Sequence, residues 1–136
     1  MRIDNIIYKN MEHELYNYEQ TKRNIKLYRE SIIESTPVGS ETKDKYTISD
    51  STGSKAIKLT TSAFLFNAEM TIDAIDKALK QLSKNHNVLF DLHFLQCMRW
   101  YEVYLEMNIS KRQFYKLKRE LIIQVAINLG KVNPDC

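Results

Sequence analysis

The sequence is poor in the residues that interrupt or cross-link regular secondary structure. Its 136 residues include 3 glycines, 2 prolines and 2 cysteines. An all-β protein needs many turns built on glycine and proline, and a disulfide scaffold needs several cysteine pairs, so neither class fits. Apolar residues make up 43% of the chain, which is more than a disordered chain contains. The composition therefore predicts an all-α protein.

The chain also lacks the segments that carry a protein into or across a membrane. No apolar run approaches the roughly 20 residues that a membrane-spanning helix needs. The first residues do not combine a basic stretch with an apolar one, as a signal peptide would. Cys97 and Cys136 are too far apart in sequence for a disulfide framework. We therefore expect a cytoplasmic protein with reduced thiols and no membrane partner.

Positive charge is concentrated near the C-terminus. The formal net charge is only +3, yet residues 111–136 contain six bases and two acids, whereas residues 1–36 contain six of each. Such a local excess is typical of a nucleic-acid-binding segment, because phosphates attract lysine and arginine. A basic helix face that is simply solvated gives the same pattern. Charge alone leaves both interpretations open.

Apolar periodicity divides the chain into three parts. Residues 1–36 are predicted to form one long N-terminal helix, because apolar residues recur there in steps of three, four and seven. Residues 37–56 are rich in Ser, Thr and Asp, contain two of the three glycines, and are predicted to be a linker with turns. Residues 57–136 are predicted to form a second, helical domain.

The apolar strip of the N-terminal helix needs a surface to cover it. The strip consists of Ile7, Met11, Leu15, Tyr18, Ile25, Tyr28 and Ile32. It can pair with a second copy in a homodimer or fold back onto its own chain. Glu14 and Thr21 interrupt the heptad pattern, so a coiled coil is poorly specified and we favour folding back. The last predicted helix also needs cover, because its second half is apolar on almost every side: Ile122, Ile123, Ala126, Ile127 and Leu129.

The short segment NIS, residues 108–110, separates two predicted helices. Asn108 tolerates the left-handed conformation of a tight turn, and Ser110 is a favourable N-cap for the helix that follows. Gly130 is a typical stop for that helix. Helix, tight turn and Ser-capped helix form the sequence pattern of a helix-turn-helix, which we place at residues 99–130.

The helix after this turn has an apolar face and a basic face. At about 100° per residue, the apolar face groups Phe114, Leu117, Leu121 and Val125. The opposite face carries Arg112, Lys116 and Arg119, flanked by Gln113 and Tyr115. A recognition helix needs this arrangement, because its back packs on the core while its front meets the major groove.

Domain 57–136 would accordingly be a DNA-binding domain. The residues predicted to bind DNA are Ser110, Lys111, Arg112, Gln113, Tyr115, Lys116 and Arg119. Arginine can read guanine and glutamine can pair with adenine, so Arg112 and Gln113 in the first turn are predicted to read bases. Lys116 and Arg119 are predicted to hold phosphates.

Residues 82–126, which include WYEVYLEMNISKRQFYKLKREL, resemble region four of bacterial σ factors. The segments HELYNYEQTKRNIKLYRESIIES, ISDSTGSKAIKL and IDKALKQL resemble phage transcriptional regulators of the RinA type, which are related to the ArpU group. The resemblance covers nearly the whole chain. It implies a phage or prophage activator of late genes that binds double-stranded DNA near a promoter, beside the host RNA polymerase.

Two residues depart from the pattern of these families. Tyr104 stands where a small residue is usual, and Asn108 stands where glycine is usual. A bulky Tyr104 facing the recognition helix is expected to widen the angle between the two helices.

Two other functions also fit the sequence. One is a phage DNA-packaging protein of small-terminase type, and the other is a σ-like fragment that binds polymerase and contacts DNA little.

Other conspicuous residues are interpreted as structural. His86, His93 and Cys97 recur along one predicted helix, but a fourth ligand at suitable spacing is lacking, so no metal site is predicted. The histidines are expected at the surface, and Cys97 is expected to be partly buried. Trp100 can stack on a base, but its helical spacing with apolar neighbours favours the core. No catalytic constellation is legible, so we predict neither an enzyme nor a cofactor.

Overall fold

The computed structural model describes residues 3–42 and 47–133, and it describes side chains at residues 3–31 and 62–133. The described residues form helices and no strand, which confirms the predicted all-α fold. In chain order the helices are α1 (Asn5–Tyr16), α2 (Tyr18–Thr42), α3 (Thr47–Gln81), α4 (Lys84–Leu89), α5 (Trp100–Met107) and α6 (Lys111–Asn128). Helix α4 continues directly into a π-helical segment, Phe90–Leu95.

The chain divides into two compact units. Unit 1 combines Met1–Glu19 with Thr71–Cys136, and unit 2 is Gln20–Met70. These boundaries differ from the predicted ones, because the start of the chain belongs to the same unit as the C-terminal helices. Periodicity reveals that a helix has an apolar face, but it does not reveal which distant segment covers that face.

Helix α6 is the central element of unit 1 and contacts α1, α4 and α5. Its fully buried side chains are Phe114, Leu121, Ile122, Val125 and Ala126. Fully buried side chains from other parts of unit 1 are Leu15, Ile75, Leu89, Phe94 and Val103. Removing a large apolar side chain of this kind from water contributes about 1.5–3 kcal/mol. The core of unit 1 therefore fixes which side of α6 faces solvent.

Helix α1 packs against α6, as expected if the N-terminal strip folds back. Its N-cap is Asp4, whose carboxylate accepts a hydrogen bond from the Ile6 N–H at 2.8 Å. Met11 and Leu15 of its apolar strip are buried. The structure departs from the predicted unbroken helix at Asn17, whose backbone lies at φ −93° and ψ 8°. An asparagine side chain competes with the helix backbone for hydrogen bonds, which makes it a weak point in a long helix.

Unit 2 contains parts of α2 and α3. Within it Ile25 is buried, the ring centres of Tyr28 and Phe64 lie 5.0 Å apart, and Arg29 forms an ion pair with Glu69. These contacts pair the two helices along their described side chains. The ion pair is exposed, so it adds little stability of its own.

The predicted linker, residues 37–56, is largely helical in the structure. Helix α2 continues to Thr42 and α3 begins at Thr47, while residues 43–46 lie outside the described part of the chain. Serine, threonine and glycine lower helix propensity by at most about 1 kcal/mol per residue, so they disfavour a helix without forbidding it. The amino-acid composition of residues 37–56 therefore did not predict their helical structure correctly.

The two histidines predicted at the surface are buried, and the cysteine predicted to be partly buried is exposed. His86 and His93 are both buried, whereas Cys97 is exposed with a left-handed φ of 57°. His93 is hydrogen-bonded at both ring nitrogens, whereas the buried Nε2 of His86 lies 3.5 Å from Glu120 Oε1 and has no hydrogen-bond partner among the described residues. The Ser83 N–H donates to His86 Nδ1 at 3.3 Å, and His93 Nδ1 donates to the Met98 carbonyl at 2.9 Å.

His93 joins α1 to the π-helical segment. Since its Nδ1 donates to the carbonyl of Met98, the neutral ring accepts at Nε2 from the Tyr16 hydroxyl, at 2.9 Å. Burial raises the pKa of Tyr16 to about 12. Burial also lowers the pKa of His93 below 6.5; Lys118 adds to this fall, while the Met98 carbonyl and Glu12 oppose it.

The lowered pKa of His93 makes stability depend on pH. The unfolded chain takes up a proton at this ring near pH 6.5, before the folded protein does. The stabilising contribution is therefore complete above that pH and is lost as the pH falls toward the lower pKa of the folded state. We expect urea unfolding to give a smaller free energy at about pH 5.5 than at about pH 7.5, and a weaker dependence in His93→Gln. The same dependence in both proteins would assign the effect to other groups.

Candidate nucleic-acid interface

The turn between α5 and α6 is built by residues 108–110. Asn108 closes α5 in the left-handed conformation, at φ 58° and ψ 47°, as predicted. Its N–H donates to the Leu105 carbonyl at 3.2 Å, and the Ile109 N–H donates to the Tyr104 carbonyl at 3.0 Å. These bonds satisfy carbonyls that the end of a helix otherwise leaves without a partner.

Both ends of α6 agree with the sequence prediction. Ser110 precedes the helix in an extended conformation, and its Oγ accepts a hydrogen bond from the Gln113 N–H at 3.1 Å. A cap of this type stabilises a helix by about 1 kcal/mol. At the other end Gly130 adopts a φ of 73°, and its N–H donates to the Ile127 carbonyl at 3.0 Å. Both ends of α6 are therefore fixed by hydrogen bonds between residues close together in sequence.

Burial divides α6 into the two predicted faces. The side chains of Phe114, Leu117, Leu121 and Val125 are all buried. Arg112, Lys116 and Arg119 are all exposed, and we call these three residues the basic face. At about 1.5 Å of rise per residue, the basic face extends over roughly 10 Å of helix. Several phosphates of a duplex come within reach of side chains spread over that length.

The other four predicted DNA-binding residues have different surroundings. The Ser110 side chain is exposed, but its hydroxyl is engaged in capping α6. Gln113 is partly exposed at the flank of the basic face. Lys111 and Tyr115 are exposed and approach Trp100 of α5. Three of the seven predicted residues therefore form the basic face, and Lys111 and Tyr115 lie beside the Trp100 ring.

Lys118 is a base of the same segment that does not belong to the basic face. It is buried, and its Nζ lies 2.7 Å from Glu12 Oε2 and 5.8 Å from the ring centre of Phe94. On a helical wheel Lys118 is only about 40° from Phe114, which explains its position on the core side. Its charge is neutralised within unit 1 and is not available to a polyanion.

Helix α1 borders the basic face on one side. Tyr8 lies near Arg119 and Tyr115, since both influence its ionisation. Burial is the main cause that raises the pKa of Tyr8; Glu12 and Tyr115 raise it further, whereas the positive charge of Arg119 lowers it. The first turns of α1 therefore lie beside the basic face.

Trp100 is not in the core, contrary to the prediction from its spacing. Its side chain is 37% exposed, because it is the first residue of α5 and no earlier turn of that helix covers it. Val103 fills the core position instead. The Trp100 ring lies 5.6 Å from that of Tyr104 and 6.4 Å from that of Tyr115, with interplanar angles of 36° and 34°. Lys111 Nζ lies 4.7 Å from the centre of the Trp100 ring.

Within the part of the chain that the structure describes, no three His, Cys, Asp or Glu side chains come close enough to hold a metal ion. None of the described helices is both long and apolar enough to span a membrane.

Comparison with protein families, curated proteins and solved structures finds no match for this chain. Support for a function therefore comes from the chemistry of α5, α6 and the turn between them.

Proposed function

We propose that the chain is a sequence-specific DNA-binding transcriptional regulator in which α6 is the recognition helix. The observation that carries this proposal is the division of α6: Phe114 and Leu121 are fully buried, whereas the basic face opposite them is exposed. A helix held by its back and basic on its front, entered through a tight turn, suits the major groove. The function proposed is binding, without a catalytic step.

The finer assignment rests on the sequence resemblance. Residues 82–126 resemble σ region four, and much of the remaining chain resembles regulators of the RinA type. We therefore propose a phage or prophage activator of late genes that acts in the cytoplasm of the bacterial host, near RNA polymerase. The all-helical fold is consistent with this assignment.

Residue roles follow from position on α6. Arg112 and Gln113 lie in the first turn after the Ser110 cap, where the recognition helix of a helix-turn-helix contacts base edges. Lys116 and Arg119 lie one and two turns later and are proposed to hold phosphates. Phosphate contacts fix the position of the protein on the duplex, and base contacts select the sequence.

The proposal is tested by removing the basic face. We expect the triple variant Arg112→Ala, Lys116→Ala, Arg119→Ala to keep its fold, since these side chains are exposed. Its affinity for duplex DNA upstream of the late operon should fall at least tenfold, and the salt slope should fall by about 0.9 for each lost phosphate contact. Fluorescence anisotropy over a salt series measures both quantities.

A matched control removes the same charge elsewhere in the chain. Lys77, Lys80 and Lys84 are exposed lysines on α3 and α4, and their triple alanine variant has the same net charge as the test variant. We expect it to keep most of its affinity. If the two variants bind alike, overall charge accounts for binding and α6 is not the recognition helix.

Single variants separate the two proposed roles. Arg112→Ala should cost about 1–3 kcal/mol on the cognate site and less on random DNA, because a base contact is lost. Lys116→Ala should weaken binding to both DNAs alike, because every duplex has phosphates. An equal loss on both DNAs for Arg112→Ala would place that residue among the phosphate contacts.

A DNA-packaging protein of small-terminase type is the second candidate. Small-terminase proteins join a helix-turn-helix to long helices. Helices α2 and α3 are long, with 25 and 35 residues, so this function remains a candidate. The packaging proteins form rings, so the mass of the particle in solution separates the two functions. A monomer or dimer suits the regulator, whereas a ring of many subunits suits the packaging protein.

A further inference from the structure

An aromatic surface lies where α5 meets α6. Trp100, Tyr104 and Tyr115 form it, and we call these three residues the aromatic edge. Trp100 and Tyr115 are 37% and 42% exposed. The rings of Tyr104 and Tyr115 are tilted by 36° and 34° relative to the Trp100 ring, so each tyrosine face is closer to parallel than to perpendicular to the indole. Large rings grouped and left partly in water are typical of a binding surface.

Cations stand beside the aromatic edge. Lys111 Nζ lies 4.7 Å from the Trp100 ring centre, within the range of a cation–π contact. Arg99, whose guanidinium is charged at any ordinary pH, donates from Nη1 to the Tyr101 hydroxyl at 2.9 Å. Glu102 lies near Arg99 and offsets part of that charge. Exposed rings next to cations combine the two features that single-stranded nucleic acid requires.

We propose that the aromatic edge is a stacking site for an unpaired nucleobase of single-stranded DNA. This inference rests on the proposed DNA-binding function, because α6 would hold the adjoining duplex. Tyr115 and Lys111 belong to the first turns of α6, so the stacked base would lie next to the duplex segment that α6 reads. The chain would then bind a junction between paired and unpaired DNA more tightly than a duplex alone.

The chemistry of the rings favours an unpaired base over a duplex. In a duplex each base is covered on both faces by its neighbours, and side chains reach only base edges and the backbone. An unpaired base exposes its faces and can stack on indole or phenol, whatever its identity. Lys111 Nζ lies over the indole, so a base stacking on that face would displace it, and the ammonium would then be free to pair with the phosphate beside the base.

The fluorescence of Trp100 tests this site directly, because the chain has 1 tryptophan. A base that stacks on indole quenches its emission. We would titrate the full chain with a short oligothymidylate, with an abasic phosphodiester of equal length, and with duplex DNA upstream of the late operon. We expect saturable quenching by the oligothymidylate and little by the abasic strand, which has the same charge but no bases.

Substitutions provide a second measurement. In anisotropy titrations with labelled oligothymidylate, Trp100→Leu should bind about tenfold more weakly, and Trp100→Phe should recover part of the loss. Phe66→Leu is the matched control, because it removes a ring that is 63% exposed in unit 2. Its affinity should equal that of the parent chain. The quenching experiment needs no variant, so a variant that fails to fold leaves the test intact.

Each outcome separates this inference from the proposed function. Duplex binding without quenching by oligothymidylate would overturn the stacking site and leave the regulator proposal standing; a protein partner would then be the occupant to seek. Equal quenching by the abasic strand would also overturn it, because charge alone would explain the contact. Quenching by oligothymidylate without duplex binding would refute the helix-turn-helix function and keep the stacking site. Binding of neither DNA would reject both.

Discussion

Replacing Phe114 by alanine is expected to lower the free energy of unfolding by about 3–5 kcal/mol. The Phe114 side chain is fully buried at the start of α6. Its ring centre lies 5.1 Å from those of His93 and Tyr115, in nearly perpendicular arrangements. Alanine would remove these contacts and leave a cavity that the surrounding helices fill only in part. Urea unfolding monitored by circular dichroism measures the loss.

Phe66→Ala is the matched control for this prediction. It removes the same atoms from a ring that is 63% exposed, so the free energy of unfolding should change by no more than about 0.5 kcal/mol. An unchanged melting temperature for Phe114→Ala would mean that the assignment of the buried and exposed faces of α6 is wrong. The basic face would then lose its structural basis as well, because the two faces are defined by the same helix.

The faces of α6 could be predicted because the necessary signals are local. An 18-residue helix gives periodicity enough turns to identify a buried side. The left-handed turn at Asn108 and the cap at Ser110 depend on the residues themselves and their immediate neighbours. Local chemistry of this kind can be read from one sequence, and the structure agrees with it here.

Trp100 shows where periodicity fails. Helix α5 has only 8 residues, and Trp100 is the first of them. A helical wheel assigns every residue of a face the same environment, but the end of a short helix lies at the rim of the core. The Trp100 side chain lies on the same side of α5 as the buried Val103 and still reaches solvent. The aromatic edge was missed for this reason, although the clustering of Trp100, Tyr101 and Tyr104 in the sequence was a signal.

The burial of His93 could not be predicted, because one of its two hydrogen-bond partners is remote in sequence. His93 is held by Tyr16 as well as by the nearby Met98 carbonyl. Without those partners a histidine belongs at the surface, which was the expectation. The buried residues Leu89, Phe90, His93 and Phe94 follow helical spacing, so the segment has a regular core face. Val88, Leu92 and Leu95 of the same segment are only partly buried.

The buried ion pair between α1 and α6 also joins residues that are remote in sequence, and its loss is expected to lower the free energy of unfolding. Lys118 Nζ lies 2.7 Å from Glu12 Oε2, and the two side chains are 11% and 28% exposed. Glu12→Ala would leave the lysine charge on the core side of α6 without its carboxylate. Breaking a fully buried pair costs about 3–5 kcal/mol, and the partial exposure of Glu12 reduces this to about 2–3 kcal/mol. Urea unfolding of the variant measures the effect.

A double-mutant cycle shows whether the cost of Glu12→Ala comes from the unpaired charge. In Lys118→Met the buried position is apolar and of similar length, so removing Glu12 from that background should cost less than about 1 kcal/mol. Glu106→Ala removes an exposed carboxylate from α5 and should change stability by about 0.5 kcal/mol or less. Equal costs of Glu12→Ala in both backgrounds would show that the carboxylate acts through some contact other than Lys118. A smaller cost beside methionine would show that Glu12 stabilises the protein mainly by compensating the buried charge of Lys118, an interaction that joins α1 to α6.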